Sequence, residues 1–376
     1  MLSGERRPRG RGRRVAKRVF MGDGPTRTMV DRIKAALPAP VKVALRPAVR
    51  AVAPSRAASS EESDLYSSDR LAFCDQPSPN RWTVHDPATG CEYRFFFLCG
   101  CWKSGTHWIQ NILNLHPKVK MKGEYHFEHL LDGLERFTTP KWYKGSIPHA
   151  KAVANDAMEN LVRRVMYVTT RRFPQVVWLG DRSPRPLREV IRGAPMYWLL
   201  RDGRDILVSW SFHWLRSEGA GAPYIRETLK KLRPEFASDP DRFRNPDYGL
   251  LGNDHWVRIT ARQWAGYIAH DFDAYPRLLA DGTAVHKVVY EELHQRPWEG
   301  AEAIYRFLGL DPAEARPLSV ETKTLPGFKK EDLNSATRKG QTGDWRNYFN
   351  DRITRIFKEE AGEALIRAGY EKDLNW

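Results

Sequence analysis

From residue 65 onward, apolar runs of strand length alternate with stretches of helical periodicity. Arg94–Cys99 (RFFFLC) is nearly all apolar, as a strand covered on both faces requires. A polar, glycine-containing loop follows. Trp108, Ile109, Ile112, Leu113 and Leu115 then fall on one side of a helix. Val176–Gly180, Met196–Leu200 and Val285–Tyr290 read as three further strands. Helical patterns run through Ile206, Trp210 and His213, through Trp256, Trp264, Ile268, Phe272, Tyr275 and Leu279, and over Ala301–Leu308. This alternation predicts an α/β fold with a parallel sheet flanked by helices on both faces. Ligands in such sheets bind beyond the carboxyl ends of the strands, so the loops directly after them are where chemistry is expected.

A chain of 376 residues, 41% hydrophobic, can bury a full core as one large domain or two smaller ones. No run of 18 apolar residues occurs, which argues against a spanning helix. The N-terminus is Arg-rich without an apolar stretch, so no secretory leader is expected. Cys74, Cys91, Cys99 and Cys101 are too few and too irregular for a disulfide scaffold, and the expected location is cytoplasmic.

The net charge of +15 is concentrated at one end. Residues 1–60 carry 15 basic against 3 acidic residues, and the remainder is nearly balanced. A broad nucleic-acid surface on the folded part is therefore not expected. Residues 1–63 read as a basic, mostly disordered tail and linker, with one domain over 64–376. Within the tail, Val41, Leu45, Val49 and Val52 recur at helical spacing beside Lys42, Arg46 and Arg50. Residues 29–53 are thus readable as a basic amphipathic segment on an anionic membrane. Pro38, Pro40 and Pro47 favour a solvated arm instead.

The loop after Arg94–Cys99 reads Gly100-Cys101-Trp102-Lys103-Ser104-Gly105-Thr106-His107-Trp108. Its glycines allow close backbone approach, and the helix start offers unpaired N–H groups to an anion. Ser104 and Thr106 add hydroxyls and Lys103 a point charge. The ATPase pattern GxxxxGK[ST] is absent, because Lys103 precedes Gly105. On its own, the loop also reads as an ordinary capped turn.

CWKSGTHW resembles PKSGTTW, the 5′-phosphosulfate loop of sulfotransferases that use 3′-phosphoadenosine 5′-phosphosulfate (PAPS). Trp102 stands for the usual Pro and His107 for the second Thr. Three more segments follow in the family's order. Residues 201–209, RDGRDILVS, resemble the 3′-phosphate motif. VYEEL at 289–293, with Pro297 and Phe307-Leu308-Gly309, resembles RYEDL…P…FLGL. RKGQTGDWRN at 338–347 resembles RKGxxGDWKN. The resemblance implies a P-loop-like sulfotransferase fold and PAPS as co-substrate, with no metal required. It assigns the donor to Lys103, Ser104, Gly105, Thr106, His107, Trp108, Arg201, Ser209, Tyr290, Arg338, Lys339 and Gly340.

Transfer also needs a base for the acceptor's proton. Glu124 and His126, two apart, fall on one side of an extended segment. LHPKVKMKGEYHF resembles the HPxV…E-x-HFF stretch of glycan-type members, where that Glu is the base. Glu124 is therefore expected as base and His126 as its helper, with His149 ranked third. The acceptor implied is a carbohydrate, a glycolipid or a small-molecule alcohol. In GDRSPRPL, which resembles the family's GEKSP segment, Arg182 and Ser183 are candidates for lining the acceptor side. His126 and His129 at three-residue spacing suggest a metal pair, but no third ligand of suitable spacing is evident. Residues 218–254, rich in Gly, Pro and Asp, read as a mobile lid. Two other functions compete. One is a small-molecule kinase with Asp181 as its metal-binding carboxylate. The other is a polyanion binder acting through the tail.

Overall fold

The computed structural model describes residues 70–138, 147–170, 173, 175–219, 221, 223–326, 331, 333 and 338–376. The tail, its amphipathic segment and the linker before residue 64 lie outside the described residues.

Six strands form one sheet: β1 (Thr83–Asp86), β2 (Cys91–Gly100), β3 (Val119–Met121), β4 (Trp178–Arg182), β5 (Met196–Leu200) and β6 (Val285–Val289). The order is β3-β4-β2-β5-β6 with every pairing parallel, and β1 adds antiparallel to the start of β2. Strand β2 thus lies centrally, and its C-terminal loop opens where neighbours lie on both sides.

Burial on both faces follows from the period of two. Phe95, Phe97 and Cys99 face one side with Leu179, Met196 and Trp198. They are covered by Val162 and Met166 of α3 (Ile147–Thr170) and by Ala274 and Leu278 of α6 (Asp254–Ala280). Phe96 and Leu98 face the other side, against α1 (Thr106–Leu113) and α8 (Pro297–Phe307). Helices α2 (Glu128–Thr138), α4 (Gly203–Arg216), α5 (Arg226–Ser238), α7 (Tyr290–Gln295) and α9 (Asp351–Ala368) complete the described set. The sheet flanked on both faces is the α/β architecture expected.

Two expectations change. Tyr290 is not the last residue of a strand but the first of α7, so its ring turns toward the loop after β2. Residues 218–254 are not an open lid. They contain α5, and Leu229, Phe236, Phe243, Leu250 and Leu251 are buried in the core shared by α4, α6 and α9. Among the described residues no helix is long and apolar enough to cross a membrane.

Candidate active site

Gly100 ends β2 against β5. A Cβ there would meet the Leu199 carbonyl oxygen at 2.9 Å and Ser104 Oγ at 3.0 Å. The chain then turns through two left-handed residues, Lys103 (φ 62°) and Gly105 (φ 105°), before entering α1. Gly105 is the N-cap of α1 and offers no side chain to close it, so the first-turn N–H groups face outward. A Cβ at Gly105 would lie 2.6 Å from the Tyr290 ring, so only glycine fits. Ser104 differs from expectation. Its hydroxyl is buried and donates to the Cys101 carbonyl at 2.6 Å, which makes it a brace for the turn. Thr106 is buried in the first helical turn, whereas His107 is exposed.

Arg201 follows β5 and reaches back to this loop. Its guanidinium donates to the Lys103 carbonyl at 2.9 Å and the Gln341 carbonyl at 3.2 Å, and stacks 4.1 Å over Tyr290. Its Nε is buried without a partner. Tyr290 also packs edge-on to Trp108. His294, one turn along α7, donates to the Gly340 carbonyl at 2.8 Å, an anchor for the RKG segment that sequence reasoning missed. A second anchor is Asp205, which accepts from the amides of Gly343 and Trp345 at 2.8 and 2.9 Å. Lys103, Gly105, Trp108, Arg201, Tyr290 and Gly340 are thereby linked into one region.

Ser209 sits half-buried on α4, and no bond joins its hydroxyl to Arg201 or Arg338. Arg338 pairs with Glu331 and Asp344, and Lys339 bonds Asp344 at 2.7 Å. These two cations are held by carboxylates here, and an anionic ligand would have to compete for them.

Lys103 has no counter-charge within bonding distance among the described residues. Burial first, then the guanidiniums of Arg216 and Arg201, pull its ammonium from 10.5 down to about 8. A cation destabilised by other cations, with an unpartnered guanidinium N–H and an uncapped helix start in the same region, favours an anionic ligand. A phosphate-bearing ligand fits it.

The second half of the site comes from β4. Asp181 is fully buried, and its oxygens accept from Arg185 at 2.6 Å, from Ser183 Oγ at 3.1 Å and from the Tyr125 amide at 3.2 Å. Ser183 Oγ in turn accepts from the His126 amide at 2.9 Å, and the Arg185 carbonyl accepts from the Gly100 amide at 2.9 Å. The kinase expectation fails at this residue, because Asp181 is fully buried and both its oxygens are engaged by protein donors. What Asp181 does is join the loop after β2 to the segment bearing Glu124.

Arg182 bonds Gln110 of α1 and reaches Glu124 at 2.6 Å. His126 lies between Glu124 (3.5 Å) and Glu128 (2.7 Å). Its bonds to Glu124 and Glu128 outweigh the cost of burial and raise its pKa to about 10, so it is an imidazolium at neutral pH. Burial works to raise Glu124, but His126 and Arg182 prevail and hold it below the ordinary carboxylate value. Glu124 and His126 do meet, as an ion pair in which only Glu124 is free to take a proton. His149 is exposed at the start of α3, and no contact joins it to this region. Glu128 also corrects the metal argument. It supplies the third donor beside His126 and His129 that the spacing did not reveal, with the three ligand atoms within 4.8 Å of one another.

The loop with Lys103 and the uncapped start of α1 thus lies at the carboxyl end of the central strand. Residues 94–369 match the sulfotransferase domain family, and the chain belongs to that family. Sulfotransferase 1C2 of Rattus norvegicus is 19% identical over 289 residues, covering 72% of this chain and 83% of its own. Among solved structures, mouse sulfotransferase SULT7A1 complexed with PAP is 17% identical, with a TM-score of 0.40, and covers 82% of this chain and 96% of that one. The sulfotransferase domain of the Synechococcus PCC 7002 olefin synthase is 14% identical, with a TM-score of 0.35, and covers 70% of this chain and 93% of that one.

Proposed function

We propose that this enzyme moves a sulfuryl group from PAPS to a hydroxyl or amine acceptor by in-line displacement. The observation that carries the reading is the Lys103 ammonium, pressed by neighbouring guanidiniums at the uncapped start of α1, with the unpartnered Nε of Arg201 in the same region. Bound there, PAPS supplies an activated sulfur joined through oxygen to a good leaving phosphate. Lys103 holds the bridging oxygen and receives the charge left on it. The backbone of Gly105, Thr106 and His107 holds the 5′-phosphate and Arg201 the 3′-phosphate, with Tyr290 and Trp108 beside the nucleoside. Ser209 and the Arg338-Lys339-Gly340 segment join the 3′-phosphate when Asp344 and Glu331 release the two cations.

Glu124 accepts the acceptor's proton. The acceptor's O–H bond breaks as its O–S bond forms, and the S–O bond to phosphate breaks with its electrons going to the phosphate oxygen. His126 and Arg182 fix the carboxylate. The acceptor class we favour is a carbohydrate, a glycolipid or a small-molecule alcohol. We read 64–376 as the catalytic domain, placed in the cytoplasm.

The pair of variants Glu124→Gln and Lys103→Ala tests the roles. Glu124→Gln should lower the transfer rate by about 10²–10⁴-fold with nucleotide affinity unchanged. Lys103→Ala should lose both rate and affinity. Normal turnover by Glu124→Gln would remove Glu124 from the mechanism.

A further inference from the structure

Trp102, the residue before Lys103, lies flat on Trp210 of α4, with ring centroids 4.9 Å apart and planes 2° from parallel. Trp210 lies as flat on His213, at 5.0 Å and 3°. Trp214 stands edge-on to Trp210 and tilts steeply against His213, and Tyr267 of α6 closes the Trp102 end. All five side chains belong to residues that are only half-buried. The column is therefore a wall with one edge open, starting at the residue next to the anion loop. Indole surface left partly open beside a reaction centre is suited to a flat ring.

His213 is the polar member of this wall. Its ring nitrogens make no hydrogen bond among the described residues, although Trp210 and Trp214 fix the ring on two sides. Burial first, then the charges of Lys103 and Arg216, hold its pKa at about 4, with Glu124 opposing them. The imidazole is thus neutral and keeps a lone pair for a donor. The stack itself ties His213 to the anion loop, because Trp102, next to Lys103, lies on Trp210, which lies on His213. His126, by contrast, has both nitrogens committed to carboxylates.

We propose that His213 is an acceptor-binding residue, taking a hydrogen bond from the acceptor's hydroxyl while the open edge of the Trp102–Trp210 stack and the indole of Trp214 border the flat ring that carries it. The assignment rests on the transfer reading above in giving this space to the acceptor. It makes His213 a specificity-determining group: an acceptor without a donor next to its ring leaves the imidazole unpaired on a desolvated wall. An aromatic ring and the C–H face of a sugar both stack on indole, so the test carries one of each.

The probes are 2-naphthol and methyl β-D-galactopyranoside. Each is titrated by tryptophan fluorescence into the full chain saturated with 3′-phosphoadenosine 5′-phosphate. At least one should bind saturably. His213→Ala should weaken that probe about tenfold, and His213→Gln, which keeps an acceptor atom, should recover most of the loss. Nucleotide affinity should be unchanged in both variants, a separation that a purely structural histidine would not give. The proposal is overturned if neither probe binds, if His213→Ala binds the probe as the wild type does, or if nucleotide and probe weaken together. Failure of the wild-type chain to bind the nucleotide removes the transfer reading and this proposal with it. The other failures leave that reading standing.

Discussion

Lys103, His126 and Lys323 are the non-glycine residues with positive φ among those described, at 62°, 54° and 57°. Such backbone costs about 1–3 kcal/mol per residue and persists where surrounding structure enforces it. Two of the three were expected to carry chemistry from their side chains alone, and nothing in the sequence marked their backbone. The loop's other strained residue, Gly105, was legible as a glycine but not as one pressed against Tyr290, a partner 185 positions away. Gly105→Ala should destabilise the enzyme by about 1–3 kcal/mol in denaturant unfolding and weaken nucleotide binding. Wild-type stability would show that the loop has room to spare. The ammonium of Lys103 gives a pH prediction with a definite sign. Its pKa is lowered to about 8, so the free site is fully cationic below that and loses charge as pH rises through it. Affinity for 3′-phosphoadenosine 5′-phosphate, measured by calorimetry, should be flat below about pH 7 and fall above 8, with proton uptake on binding in that upper range. An affinity that stays level to pH 10 would place the ammonium outside the anion site. His126, the expected helper, is held as an imidazolium because Glu124 and then Glu128, which the sequence did not single out, bond its two nitrogens.

At the scale of elements, β2, β5 and β6 and the helices after them were readable because each is a short apolar run followed by a clear helical stripe. β1 and β3, of four and three residues, are too short to show a period. Helix α5 was hidden by composition. Gly219, Gly221 and Pro223 just before it suggested a loose segment, while Leu229, Leu232 and Phe236 carried the helical spacing that buries it. Asp181 is the element-scale surprise. It looked like a metal-binding carboxylate at a strand end, and it is instead the buried tie between β4, the anion loop and the Glu124 segment. With Arg185 and Asp181 both almost fully buried, Asp181→Asn should cost about 3–5 kcal/mol of stability, because it leaves Arg185 unpaired. A loss under about 1 kcal/mol in chemical denaturation would mean that the pair is dispensable.

Across the whole molecule, the sequence's excess charge and its site charge are separate matters. The tail carries most of the net charge, yet the cations that matter are Lys103 and Arg201, placed at one strand end by parallel β2 and β5. That the RDGRD and RKGQTGDW segments form one structure was not visible in either; it depends on Asp205 and His294 reaching across to amides and a carbonyl. The most direct measurement of the central claim is a thermal-unfolding comparison on the full chain. 3′-phosphoadenosine 5′-phosphate without magnesium should stabilise the protein by about 2.7 kcal/mol at one hundred times its dissociation constant. ATP with magnesium should do much less. The reverse ranking, or no response to either nucleotide, would contradict the account.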